Sequence, residues 1–119
     1  MVQAGDDLAA QLSAAMARAG LAPEPGDVLA IAQKIVSKAE GRSIALASVA
    51  PSQAARDLAA QTGKDARLVE LILSESERVV RARPNLIIVK HRLGFVMANA
   101  GIDQSNVGED GHALLLPRD

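Results

Sequence analysis

Between residues 8 and 19 the apolar positions Leu8, Leu12, Ala15, Met16 and Ala19 fall at helical spacing, which predicts a helix with one apolar face. Asp6 is suited to cap its start, where a carboxylate can satisfy free backbone N–H groups, and Gly20 marks its end. Pro23 and Pro25 make residues 21–26 a rigid turn. Residues 28–32 form a short unbroken apolar run, which predicts a buried strand. From residue 33 to 40 the pattern turns helical, with Lys34 and Lys38 four positions apart and therefore on one side, until Gly41 stops it. Residues 43–49 predict a second strand with Ile44 and Leu46 on one face.

Pro51, at a first helical position, opens another helix that Gly63 closes. Asp65 caps a longer one ended by Pro84, with Leu68, Val69, Ile72, Val79 and Val80 as its buried stripe. Glu77 and Arg81 then make an i,i+4 pair on its wet side. Residues 86–89 and 95–98 flank His91-Arg92-Leu93-Gly94 and predict a β-hairpin, followed by a loop of small and polar residues over 99–106. The triplet Leu114-Leu115-Leu116 reads as a strand whose partner is missing. No internal repeat or low-complexity tract interrupts this order. The sum is an α+β chain, a mixed sheet with several packed helices.

Composition narrows the possibilities. Phe95 is the only aromatic residue, so the core must be built from Leu, Ile, Val and Ala. Thirteen basic and fourteen acidic residues nearly cancel, and the basic patch and stacking aromatics of a nucleic-acid binder are missing. With no cysteine there is neither a disulfide nor a thiolate metal site. Acids stand where a signal peptide needs basic residues, and no apolar run approaches a membrane span, so a soluble cytoplasmic domain is expected.

Two segments could carry chemistry. In residues 26–42 a predicted strand runs into a short helix bearing Lys34, Ser37 and Lys38, and lysine suits phosphate as a point charge. The spacing is neither that of a P-loop nor that of a dinucleotide fingerprint, and by spacing alone an ordinary amphipathic turn with solvated lysines is the better explanation. In residues 99–107, Asn99, Ala100 and Gly101 keep side chains small, so that backbone can approach a ligand closely. Asp103 and Asn106 then offer hard oxygen and amide groups for magnesium, manganese or phosphate, or simply an Asx-turn. His91 reads as part of a surface turn, and His112 as a loop residue. Glu75 and Glu77, beside Arg78, read as surface charges, and Met16 and Met97 as core filler.

Together these strings resemble the coenzyme F420 gamma-glutamyl ligases. The likeness runs through Gly5-Asp6-Asp7-Leu8-Ala9, Gly26-Asp27-Val28-Leu29, Ser37-Lys38-Ala39-Glu40-Gly41-Arg42 and Pro51-Ser52 with Ala55. It continues in Asn99-Ala100-Gly101-Ile102-Asp103, Ser105-Asn106-Val107 and Leu114-Leu115-Leu116-Pro117. The resemblance implies a GTP-dependent enzyme that adds L-glutamate through a gamma-linkage to a deazaflavin coenzyme precursor, by way of an acyl phosphate. Manganese or magnesium, and a potassium ion, go with the family, as does a homodimer. By the same resemblance Asp103 matches a metal ligand, and Lys38 and Asn106 match nucleotide contacts. Gln33 and Lys34 match nucleotide positions at which the residue type varies, and no catalytic residue is assigned.

Residues 1–119 are then expected to be the N-terminal portion of the ligase domain, truncated at both ends, the incomplete first part of a larger two-part fold. Of the family's opening strand with its Leu-Pro pair only Val2 remains, and the chain stops inside the string that leads to an Asp-Pro-Asp sequence. The family's other metal ligands, an aspartate-threonine pair and a glutamine, lie beyond it, so the isolated chain is expected to lack turnover. The alternative is a non-catalytic nucleotide-binding or interaction subunit that needs a partner chain and offers Leu114-Leu115-Leu116 as an interface strand.

Overall fold

The computed structural model describes residues 1–104 and 111–118. Asp7, not Asp6, caps the first helix, α1 (Leu8–Arg18), by accepting from the Ala10 N–H at 3.0 Å, while Asp6 accepts from the Gln3 N–H. No residue of α1 is buried, and its apolar face is only half covered. The radius of gyration is 17.2 Å, against about 13.5 Å for a compact chain of this length. The excess fits an N-terminal stretch that projects instead of folding back.

Residues 28–32 correct the expectation of a buried strand. They form no ladder, and Val28 and Leu29 are 92% and 56% exposed. An apolar run specifies a strand only where a neighbouring strand accepts its backbone groups, and none does so among the described residues. After it comes α2 (Gln33–Ala39), ended at Gly41 with φ 67°. The next expected strand is shorter than its pattern: β1 is Ser43–Ala45, and a 3-10 turn, Leu46–Ser48, carries Leu46 into the core.

The core lies between two helices and a sheet. In α3 (Gln53–Thr62) the Ser52 hydroxyl accepts from the Ala55 N–H at 3.2 Å, so Pro51 lies just outside the helix; Gly63 ends it in the left-handed region. Asp65 caps α4 (Ala66–Ser74), whose Leu68, Val69, Leu71 and Ile72 are buried. There the long predicted helix fails. The chain turns at Glu75 and continues as β2 (Ser76–Arg83), joined through Pro84-Asn85 to β3 (Leu86–His91). Val79 and Val80 are therefore exposed strand residues, and Glu77 pairs with Lys90 across the hairpin at 2.6 Å instead of with Arg81. β-branched residues favour a pleated surface, and pairing along the whole of β3 overrides a helical pattern that ends within a turn.

The expected hairpin from β3 into β4 (Val96–Ala98) is present, so β2, β3 and β4 form one antiparallel sheet in that order. Ile87 and Val89 on its inner face are wholly buried in the core with α3 and α4. The second sheet pairs β1 with β5 (His112–Leu114), antiparallel, with Ser43 opposite Leu114. The leucine triplet thus begins at the end of a strand that has its partner, and Leu114 and Leu115 are buried. The fold is α+β, with two antiparallel sheets in place of one mixed sheet. Met16 and Met97 are half-buried, not core residues.

Candidate functional site

The lysine helix and the aspartate loop meet. The Lys34 ammonium of α2 is ion-paired with the Asp103 carboxylate, both half-buried. Lys38 stands one turn further along α2 and is exposed. Between them Ser37 is wholly buried, and its hydroxyl accepts from the Gln33 side-chain N–H at 2.6 Å. That bond places Gln33 over the face through which α2 meets the chain, while the two lysines keep their charges in reach of solvent.

Asp103 is fixed through its backbone. Its N–H donates to the Leu114 carbonyl at 2.9 Å, and its carbonyl accepts from the Leu114 N–H at 3.0 Å. Just before it, the 3-10 turn Asn99–Gly101 holds three successive left-handed residues, with φ 52°, 52° and 66°. Such a run costs about 1–2 kcal/mol at each non-glycine residue. A side chain at Gly101 would meet Leu116 carbons at 3.0–3.1 Å. The small residues of this string serve a close approach, as their sizes suggested, but at Gly101 what approaches is Leu116. Ala100 is wholly buried, and the Asn99 side-chain oxygen is buried without a hydrogen bond. Asn106, together with Ser105 and Val107, lies outside the described residues.

The donor set around Asp103 fits a divalent cation in part. A carboxylate is the right ligand for magnesium or manganese, yet among the described residues no three carboxylate or imidazole groups gather in one place. The described residues therefore offer one carboxylate and an adjacent ammonium of the kind that suits phosphate, not a complete shell.

A second cluster escaped the sequence reading. Glu75, at the end of α4, is buried, and its Oε2 accepts from the Arg42 guanidinium at 2.5 Å and the Arg92 guanidinium at 3.1 Å. Burial alone would push its carboxyl up; the Arg42 and Arg92 hydrogen bonds and charges outweigh that and hold it below its ordinary value. His91 is wholly buried beside it and is no part of a surface turn. Its Nδ1 accepts from the Leu93 N–H at 3.1 Å, and its Nε2 lies 3.6 Å from Glu75, beyond hydrogen-bond reach. Burial pushes the imidazole below its ordinary value, which Glu75 only partly offsets, so His91 is neutral near pH 7. The signal for Glu75 was its spacing: it follows Leu68 and Ile72 on the same helical face. His112 is exposed in β5 and joins neither cluster. A groove of about 480 Å³ lies elsewhere, between the N-terminus, α1 and Ile35, lined by Leu8, Leu12 and Arg18 among others.

A sequence model of the F420-0:Gamma-glutamyl ligase family matches residues 1–119. The chain belongs to this family. The coenzyme F420:L-glutamate ligase of Methanothermobacter thermautotrophicus is 50% identical over 119 residues, which are 100% of this chain and 47% of that protein. Its namesake in Methanopyrus kandleri is 51% identical over 118 residues, 99% of this chain and 44% of the relative. That of Archaeoglobus fulgidus is 43% identical over 119 residues, 100% and 45% respectively. The chain thus spans a little under half the length of the family members it resembles. Across that span the family likeness covers both α2 and the Asp103 loop.

Proposed function

We propose that this chain supplies the nucleotide-binding and part of the metal-binding surface of a ligase that joins L-glutamate to a coenzyme F420 precursor at the expense of GTP. One observation carries the proposal: Lys34 and Asp103, far apart in sequence, are brought together beside Lys38 on the only strings that the resemblance assigns to nucleotide and metal. The reaction runs in two steps. The precursor's carboxylate takes the γ-phosphoryl group of GTP, giving an acyl phosphate and GDP. The amine of glutamate then attacks the acyl carbon, forming the gamma-linked amide, losing a proton and releasing phosphate.

Lys38 and Lys34 bind and orient phosphate oxygens, Asn106 and Gln33 add hydrogen bonds to the nucleotide, and Asp103 holds the divalent cation. Manganese or magnesium, when bound, neutralises charge on the transferring phosphoryl group; a potassium ion belongs to the same reading. The Lys34 ammonium is paired with the same carboxylate that would hold the cation. Cation binding at Asp103 then requires Lys34 to change partner, and a nucleotide phosphate is the partner it gains. The remaining ligands come from the part of the longer ligases that this chain does not match, so the chain alone does not turn over. We place the enzyme in the cytoplasm as a homodimer; no helix among the described residues is long and apolar enough to cross a membrane.

The test is Asp103→Asn in a full-length ligase carrying this sequence. It abolishes metal-dependent GTP consumption while leaving the fold intact by circular dichroism. Near-normal turnover removes Asp103 from the metal shell. The uncovered Val28, Leu29 and Val96 also favour a second reading, a nucleotide-binding subunit completed by a partner chain. Co-purification with a second polypeptide supplying acidic ligands supports that reading, and a clean single-component pull-down sinks it.

A further inference from the structure

Glu75 joins the two arginines that tie the end of the lysine helix and the segment after the aspartate strand together. Arg42 follows α2 directly; its side chain donates to Glu75 and to the Leu116 carbonyl at 2.8 Å, and its own carbonyl accepts from the Leu115 N–H. Arg92 donates to Glu75 and to the Pro117 and Arg118 carbonyls at 3.1 and 2.7 Å. Glu40, at the C-terminal end of α2, accepts from the Arg118 N–H at 2.6 Å. The segment held in this way, residues 115–118, directly follows Leu114, the residue that pins Asp103 through two backbone bonds. One buried carboxylate therefore pairs with two guanidiniums, and each guanidinium holds part of the segment that follows the strand positioning Asp103.

We infer that Glu75 is a positioning residue for the Lys34–Asp103 site, keeping α2 and the Asp103 strand in register through Arg42 and Arg92. The inference rests on the reading of that site given above. Removing one partner from a buried ionic cluster leaves charge uncompensated, so Glu75→Gln, which keeps the volume and removes the charge, frees both guanidiniums from their anchor. Loosening then starts at residues 114–118 and reaches Asp103 before it reaches the core between α3 and β3.

The test is native-state amide hydrogen exchange on the chain, with the N–H groups of Asp103, Leu114 and Leu115 as reporters and those inside α3 as reference. Glu75→Gln lowers reporter protection at least ten-fold more than reference protection. Glu75→Asp, which retains the charge but not the reach, gives an intermediate difference and serves if Glu75→Gln does not fold. Equal losses at reporters and reference, or no change in either variant, overturn the inference, because they describe a residue that only stabilises the whole. A parallel titration of the wild-type chain with GTP keeps the two ideas apart. Absence of binding sinks the nucleotide role of Lys34 and Lys38, while differential exchange at Asp103 still reports whether Glu75 holds that strand.

Discussion

Replacing Gly101 with alanine tests whether the strained turn before Asp103 is set by backbone geometry. Gly101 has φ 66°, where an L side chain costs about 1–2 kcal/mol, and the new methyl would meet three Leu116 carbons at 3.0–3.1 Å. Overpacking of that kind costs about 1–3 kcal/mol unless the neighbour moves. Alanine also restricts the unfolded chain, which offsets up to about 1 kcal/mol. The expected net loss is about 2–3 kcal/mol, a large share of the stability typical of a domain. Urea unfolding followed by circular dichroism reads it as a lower midpoint with unchanged slope. Ala100→Gly is the control. It relieves the left-handed strain at φ 52° but loses a wholly buried methyl, about 0.8 kcal/mol, and loosens the unfolded chain, so it is close to neutral. A loss below about 1 kcal/mol for Gly101→Ala, or equal losses for both variants, refutes the argument from geometry.

Two further outcomes follow from burial and charge. Stability falls in two stages on acidification. Unfolded His91 takes a proton near pH 6.5, while the buried ring resists it, so the folded state loses ground below that pH; the Glu75 contribution, present above about pH 4.5, is lost as pH falls further through its lowered folded value. Urea midpoints from pH 8 down to about pH 3 show both stages, His91→Gln flattens the first, and a flat wild-type profile between pH 7 and 5 contradicts the burial argument. Ile72→Ala costs about 2–5 kcal/mol at a wholly buried site, whereas Val80→Ala, 44% exposed on β2, costs under about 1 kcal/mol; comparable losses by urea denaturation would restore Val80 to a buried stripe.

What the sequence showed of this chain was what local chemistry decides. Asp65 announces a helix start and Gly41 and Gly63 announce ends, Asp6 and Pro51 each fall one residue short of the true caps Asp7 and Ser52, and the β3–β4 hairpin is visible in its flanking turn. The spacing of Lys34 and Lys38 and the string around Asp103 were also legible, one by one. Where the sequence misled, the deciding partner is remote. Residues 76–83 suit a helix or a strand until β3 lies beside them, and residues 28–32 look buried only if a neighbour is assumed. Glu75 looked like a surface charge because Arg42 and Arg92, which draw it inward, are distant in sequence. His91 misled for the same reason, its turn being covered by the cluster around Glu75.

The contacts that join α2 to the strand after Asp103 span most of the chain: Arg42 reaches Leu116 across 74 residues, and Glu40 reaches Arg118 across 78. The β3–β4 pairing, by contrast, links residues only six to ten apart. Loop-closure entropy grows by about 0.6 kcal/mol per doubling, so the long closure costs about 2 kcal/mol more than the hairpin before any contact repays it. The two helices and the three-stranded sheet can consolidate as a local unit first. The pairing of β1 with β5, and with it the meeting of Lys34 and Asp103, is then the last event in folding, and in unfolding the first to be undone.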